Sequence, residues 1–200
     1  MRILILVEVY PPSRGGIETV TQAVARAWAA AGHQVDVVTP AADGEGVDAA
    51  DAGRGVHLHR LSGWFTRLRL WARADVVLHS HFSLRGAGIL AALPGRSLVW
   101  LHTYLPTAGL QARAKRCLLR LHRVVCISDA VAAGLPPSQR RPPCFRDDIF
   151  IPDPAAIRDR DLVFVGRLVS DKGCDVALDA LAILAGRGLR PSLRVIGGGP

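Results

Sequence analysis

Residues 2–39 read RILILVEVYPPSRGGIETVTQAVARAWAAAGHQVDVVT, and this stretch decides the fold. Arg2 to Val9 is an apolar run rich in Ile, Leu and Val, without the polar alternation of a half-exposed strand. Such a run marks a central parallel strand buried on both faces. A loop from Tyr10 to Gly16 follows. Ile17, Val20, Val24, Ala27 and Trp28 then fall on one face of a helix that Gly32 ends. Val35 to Thr39 reads as the second strand, which completes one βαβ unit.

The alternation continues outward from this unit. Strands are expected at Val56–Leu61, Val76–His79, Ser97–Leu101 and Val124–Ile127. Helices are expected at Trp64–Ala74, Leu84–Leu93 and Ala108–His122, with a further one starting at Ala130–Gly134. The small, acidic, Gly-rich stretch Ala41–Gly55 reads as a mobile surface loop. Strands alternating with helices imply βαβ crossovers, hence an α/β protein with a doubly wound parallel sheet covered on both faces. Leu135–Ala156, dense in Pro, Arg and Asp, reads as a crossing segment between domains. The pattern then restarts with strand Leu162–Val165, helix Cys174–Ala185, strand Ser192–Ile196 and Gly197-Gly198-Gly199. The expected organisation is a Rossmann-like domain over 1–156. Residues 157–200 would be the first βαβ unit of an incomplete second domain, too short to close a core alone.

Composition narrows the chemistry. The chain has 200 residues, half of them hydrophobic, and a formal net charge of +8 carried almost wholly by Arg. That composition is globular, and the basic balance favours anionic partners. Cys117, Cys126, Cys144 and Cys174 are scattered without a CxxC pair, so the expectation is neutral thiols in a reducing cytoplasm and no metal site. The apolar run at Ile3–Val9 is too short for a membrane span or a signal-peptide core. Trp64, Leu68 and Trp71 form a stripe at helical spacing beside Arg67, Arg69 and Arg73. A basic helix with Trp can lie on an anionic membrane; an ordinary packing helix with a solvated face is the alternative. No aromatic-interleaved basic patch or helix-turn-helix pattern points to nucleic acid.

Two loops carry chemistry. Gly15-Gly16 lies between the first strand and its helix, where ligands of doubly wound sheets meet free helix N–H groups. A tight turn with no ligand is the competing reading. The loop is not GxGxxG and no acid follows the second strand at the ribose position, which argues against a dinucleotide. The second is Val165-Gly166-Arg167-Leu168-Val169-Ser170-Asp171-Lys172-Gly173, between a strand and a helix start. Arg167 offers a planar fork for phosphate oxygens and Lys172 a point charge, while Asp171 is positioned to cap the helix. Two cations at a helix N-terminus oppose its dipole unless an anion binds there.

The segments YPPSRGGIETVTQAVARAWAAAGHQVDVVTP and LVFVGRLVSDKGCDVALDALAIL, with LHTY and CISDAV between them, resemble the retaining glycosyltransferases of family four, with the GT-B fold. The resemblance implies two Rossmann-like domains facing across a cleft, a nucleotide-diphosphate sugar as donor, and no metal requirement. It matches Gly15 and Gly16 to a glycine loop meeting the donor diphosphate and the acceptor. Gly166 lies in the donor loop, and Arg167 and Lys172 match paired cations on the diphosphate. His102 matches a histidine near the transferred sugar, although a core histidine at a strand end is the competing reading. Gly197 and Gly199 match a glycine-rich turn near the nucleoside. The implied acceptor is undefined: a small molecule, a glycan or a lipid-linked molecule. A location in the cytoplasm, or peripherally at the inner membrane face, fits such a reaction. The family's paired glutamates, which hold sugar and ribose hydroxyls, have no counterpart before Pro200. The alternative expectation is therefore a catalytically incomplete fragment that acts only as a binding domain.

Overall fold

The computed structural model describes residues 1–40, 45–82, 95–105, 108–145, 147 and 149–199. Two compact units divide the chain, Met1–Ile149 and Phe150–Pro200. The first is built on β1 (Arg2–Val7), β2 (Gln34–Thr39), β3 (Val56–Arg60), β4 (Val76–Ser80), β5 (Ser97–Leu101), β6 (Arg123–Cys126) and β7 (Ser138–Arg140). Its described helices are α1 (Gly16–Ala30), α2 (Glu45–Ala52), α3 (Trp64–Arg73), α4 (Leu110–Leu119) and α5 (Asp129–Ala132). The strands form one parallel sheet in the order β3-β2-β1-β4-β5-β6-β7. The doubly wound α/β expectation holds. The helix expected at Leu84–Leu93 lies outside the described residues.

The unbroken apolarity of β1 has a direct cause. Leu4 and Leu6 enter one core with Val77, Val99, Leu101, Leu119 and Val124, against which Leu70 and Trp71 of α3 pack. Ile3, Ile5 and Val7 enter a second core with Val35, Val37, Val56, Leu78 and Ala25 of α1. Each face of the strand is therefore buried, so no polar alternation survives.

Two expectations change. The stretch read as a mobile loop carries helix α2, and Asp51 within it is fully buried. Tyr10 Oη donates to its carboxylate at 3.0 Å, Gln22 Nε2 at 3.1 Å and Arg26 Nε at 2.6 Å. The small acidic composition that suggests a loop is thus a helix held by one buried ion-pair network, which no local propensity reports. Residues 41–44 of that stretch lie outside the described residues. The segment Leu135–Ala156, read only as a crossing, supplies β7, a polar three-residue edge strand too short to show a period. The division between the two units also falls in this segment.

The second unit pairs β8 (Leu162–Val165) with β9 (Leu193–Ile196) in parallel, joined through α6 (Cys174–Gly186). Its apolar residues stay open: Val163, Val165, Val176, Leu178, Ile183 and Ile196 are all at least half exposed.

Replacing Asp51 by Asn removes the charge that Arg26 and Tyr10 face inside the first unit. Urea unfolding should show a loss of about 2–3 kcal/mol, because a buried donor set keeps its desolvation cost without its counter-charge. A change within about 0.5 kcal/mol would show that the network is not a structural anchor.

Candidate functional site

The strand order runs from β1 outward through β2 to β3, and from β4 outward to β7, so its direction reverses between β1 and β4. Ligands of open α/β sheets bind at such a reversal, outside the carboxyl ends of the strands. Here those ends lead into Glu8, His81 and, after β5, His102. Thr21 Oγ1 and Ser80 Oγ share a hydrogen bond of 2.5 Å, which ties α1 to the end of β4. This bond holds Gly15-Gly16 at the reversal. Gly15 is the N-cap of α1 in an extended conformation, without a side-chain cap. The Glu18 carboxylate is buried against Gly15 and accepts from Ser13 Oγ at 3.2 Å, so a Cβ on Gly15 would collide with it. Around Gly16 the corresponding space is open. Gly16 is the open point of approach, while the space beside Gly15 is filled by the helix's own carboxylate.

The histidines sort by position. His102 is nearly buried, its ring centroid 4.6 Å from that of Trp100, and its Nε2 has no hydrogen-bond partner among the described residues. Burial, and then the neighbouring His81, hold its pKa down at about 4, so its ring is neutral near pH 7. His81 adopts a left-handed backbone, φ 67°, which costs a bulky residue on the order of 1 kcal/mol. Its amide donates to Trp100 O at 3.2 Å, and its buried Nδ1 also has no partner among the described residues. Burial and Lys115 push its pKa down, against Glu8. His79, two residues earlier, is instead part of the core. Its ring lies 5.8 Å from Phe82 and 5.4 Å from His122. Burial, then His122, hold it at about 3.

In the second unit, β8 leads through Gly166 and the exposed Arg167 into a 3-10 turn, Ser170–Lys172, and left-handed Gly173 (φ 73°) starts α6. Asp171 does not cap this helix, because the turn and Gly173 intervene. It pairs instead with Lys172, Nζ to Oδ2 2.9 Å. Hydrogen bonding from Lys172 holds its carboxyl below the usual range, with Arg167 adding to the effect. The expected pair of unopposed cations is thus partly balanced by a neighbouring acid. Leu168 donates to Gly198 O at 2.8 Å and Gly166 to Ile196 O at 3.0 Å. The two glycine segments therefore run side by side beyond the β8–β9 ladder. A Cβ on Gly197 would strike the Gly166 carbonyl, and one on Gly199 would come within 2.5 Å of Leu168 O. Gly166, Gly197 and Gly199 are thus gathered beside Arg167 by main-chain contact, whatever ligand they meet.

Residues 14–136, more than half of the chain, match the model of Glycosyltransferase Family 4. The chain belongs to glycosyltransferase family 4. This match spans Gly15, Gly16, His81 and His102, and stops short of Gly166, Arg167, Lys172, Gly197 and Gly199. No curated protein matches the chain in sequence. Its fold resembles that of HepE from Anabaena, solved with UDP-glucose, with a TM-score of 0.65 at 16% identity over 99% of this chain and 69% of that one. It also resembles WaaG, a glycosyltransferase of lipopolysaccharide biosynthesis, with a TM-score of 0.59 at 16% identity over 99% and 70%. The spinosyn rhamnosyltransferase SpnG, solved with thymidine diphosphate, follows at 0.53 and 18% over 100% and 66%. The family-4 chain thus has the GT-B type of fold.

Among the described residues no three His, Cys, Asp or Glu side chains are grouped to hold a metal ion, and no helix is long and apolar enough to cross a membrane. Sequence reasoning missed Glu18 against Gly15 and the Trp100 ring against His102. GGIE contains Glu18, but only the fold turns its carboxylate onto Gly15. Strand alternation alone does not tell His79 from His81, because it does not reveal the left-handed turn at His81.

The buried histidines give stability a pH dependence of known sign. Between their ordinary value of 6.5 and the folded values of about 3 for His79 and about 4 for His102, the unfolded chain binds more protons. Their contribution is complete above pH 6.5 and is lost as pH falls through that window. The urea midpoint of the family-4 chain should drop on acidification across it, and His79→Leu should flatten the slope. An unchanged slope in that variant would mean that His79 titrates normally.

Proposed function

We propose that this chain serves a retaining glycosyl transfer from a nucleotide-diphosphate sugar to a hydroxyl-bearing acceptor. One observation carries the reading: a family-4 domain with two buried imidazole nitrogens, on His81 and His102, that have no hydrogen-bond partner among the described residues and lie at the carboxyl edge of the sheet where the strand order reverses. A neutral His102 can give or accept a hydrogen bond from a sugar hydroxyl without adding charge. Gly16 leaves room for a ligand to approach the α1 N-terminus. In the second unit, Arg167 and Lys172 take the donor diphosphate, and Gly197 and Gly199 flank the nucleoside. As the bond from the anomeric carbon to the diphosphate oxygen breaks, its electron pair stays on that oxygen. Negative charge grows on the departing nucleotide, and the two cations stabilise it most at that moment. No metal ion is required in this scheme. UDP-glucose in HepE and thymidine diphosphate in SpnG support a nucleotide donor. The four cysteines are all unbridged, which supports work in a reducing cytoplasm.

The open apolar residues of β8, β9 and α6 favour a second reading for the 200-residue chain, binding without turnover. Titration with UDP and with thymidine diphosphate should show binding that Arg167→Ala weakens about 10- to 100-fold, the range for a lost charge-assisted bond. Failure to bind either nucleotide, or binding indifferent to Arg167, would overturn the donor site. NMR of any product from a UDP-sugar should show the donor's anomeric configuration. Inversion would remove the retaining assignment, and binding with no product would favour the second reading.

A further inference from the structure

Helix α3 meets the protein with one end only. Leu70 and Trp71 pack on the core and Ala74 is buried. Arg96 stacks on Trp71, 5.7 Å from the ring centroid, and donates to Ala74 O at 2.5 Å. Among the described residues no comparable packing covers the first turns. Leu61, Trp64, Phe65 and Leu68 are 64%, 41%, 85% and 38% exposed. Trp64, Phe65 and Leu68, at i, i+1 and i+4 of the helix, make one continuous exposed face, and Leu61 lies in the turn that leads into it. Leu61 begins the stripe with a left-handed backbone, φ 46°, and its amide donates to Thr39 O at 3.0 Å. A leucine is thus held at a costly backbone angle and still left in solvent.

The charge around the stripe has one sign. Between Leu61 and Ala74 there are three arginines, Arg67, Arg69 and Arg73, and no Asp or Glu. Arg67 Nε is bound to Ser62 O at 2.9 Å. Arg69 and Arg73 are exposed, four and eight residues beyond Phe65, along one side of the stripe. A helix with an exposed aromatic and aliphatic face flanked by arginines fits a surface that is apolar below and anionic at its boundary. A second copy of this chain would bring the same cations together and repel. The turn that starts α3 also follows the carboxyl end of β3, the sheet edge that carries His81, His102 and Gly16.

We propose that the exposed face of α3 formed by Trp64, Phe65 and Leu68, with Leu61 in the turn before it, docks this protein on an anionic lipid bilayer. Trp64 and Phe65 enter the boundary between headgroups and acyl chains, and Arg69 and Arg73 face lipid phosphates. Docking there turns the crevice edge of the sheet toward the membrane, which suits an acceptor presented at that surface. The inference stands apart from the sugar-transfer reading, since bilayer binding is read without donor or acceptor.

The test is cosedimentation of the 200-residue chain with vesicles of phosphatidylcholine alone and of phosphatidylcholine with phosphatidylglycerol. Binding is expected to the second kind and to fall with added salt. Arg69→Gln and Arg73→Gln should each weaken it about fivefold. Phe65→Ser should weaken it at least as much with an unchanged circular dichroism spectrum, because Phe65 packs on almost nothing. Phe145→Ser, at another exposed site, should leave it unchanged. Three results would overturn the proposal: no binding to the anionic vesicles, equal loss in Phe145→Ser, or a Phe65→Ser effect confined to self-association in sedimentation velocity.

Discussion

The strand β1 bonds to β2 along one edge and to β4 along the other, while its side chains feed two separate cores. A main chain satisfied on both edges and apolar on both faces cannot lie at a surface, so every other element is arranged to cover it. The crossovers must then leave β1 and β4 in opposite directions across the sheet. A gap between those departing chains at the carboxyl ends of the strands is a geometric consequence, and the candidate site of this family-4 domain occupies it. The crevice is a by-product of how the centre of the sheet is buried.

Helix α1 spans the distance between structural and functional demands. Its inner residues meet Asp51 through Gln22 and Arg26, and its first turns are tied to β4 by Thr21 and Ser80. Two anchors fix where its N-terminus lies. At that end the order of local stability is reversed. Glu18 crowds Gly15, His81 keeps a strained backbone, and buried ring nitrogens of His81 and His102 have no hydrogen-bond partner among the described residues. Each of these features costs stability locally, and they lie together where a ligand would supply the missing bonds.

The second unit solves a smaller problem by different means. With few buried side chains, it relies on main-chain pairing between β8 and β9 and on glycines that allow the pairing to continue past the strand ends. That arrangement places Arg167 and the Asp171–Lys172 pair on an exposed loop at the same end as the glycine turn. Positive charge there is offset by one carboxylate, which leaves the loop net cationic.

The sequence by itself determined the alternation of strands and helices, because β1, β2 and their neighbours are buried on both faces and α1 on one, and each burial pattern has its own period. It also determined where the two glycine loops lie, since Gly15-Gly16 and Gly166-Arg167 each stand between a strand and the next helix in the linear order. Helix α2 was not legible. Its composition is that of a loop, and its anchor Asp51 depends on partners at positions 10, 22 and 26. Edge strand β7 escaped for a related reason, being too short and polar to carry a period. Only the tertiary structure decided which of His79 and His81 meets the crevice, that Glu18 rather than open space lies beside Gly15, and that Asp171 pairs with Lys172 instead of capping a helix. These depend on a left-handed residue, a turned side chain and a 3-10 turn, where a few dihedral angles redirect a side chain without changing any pattern along the chain.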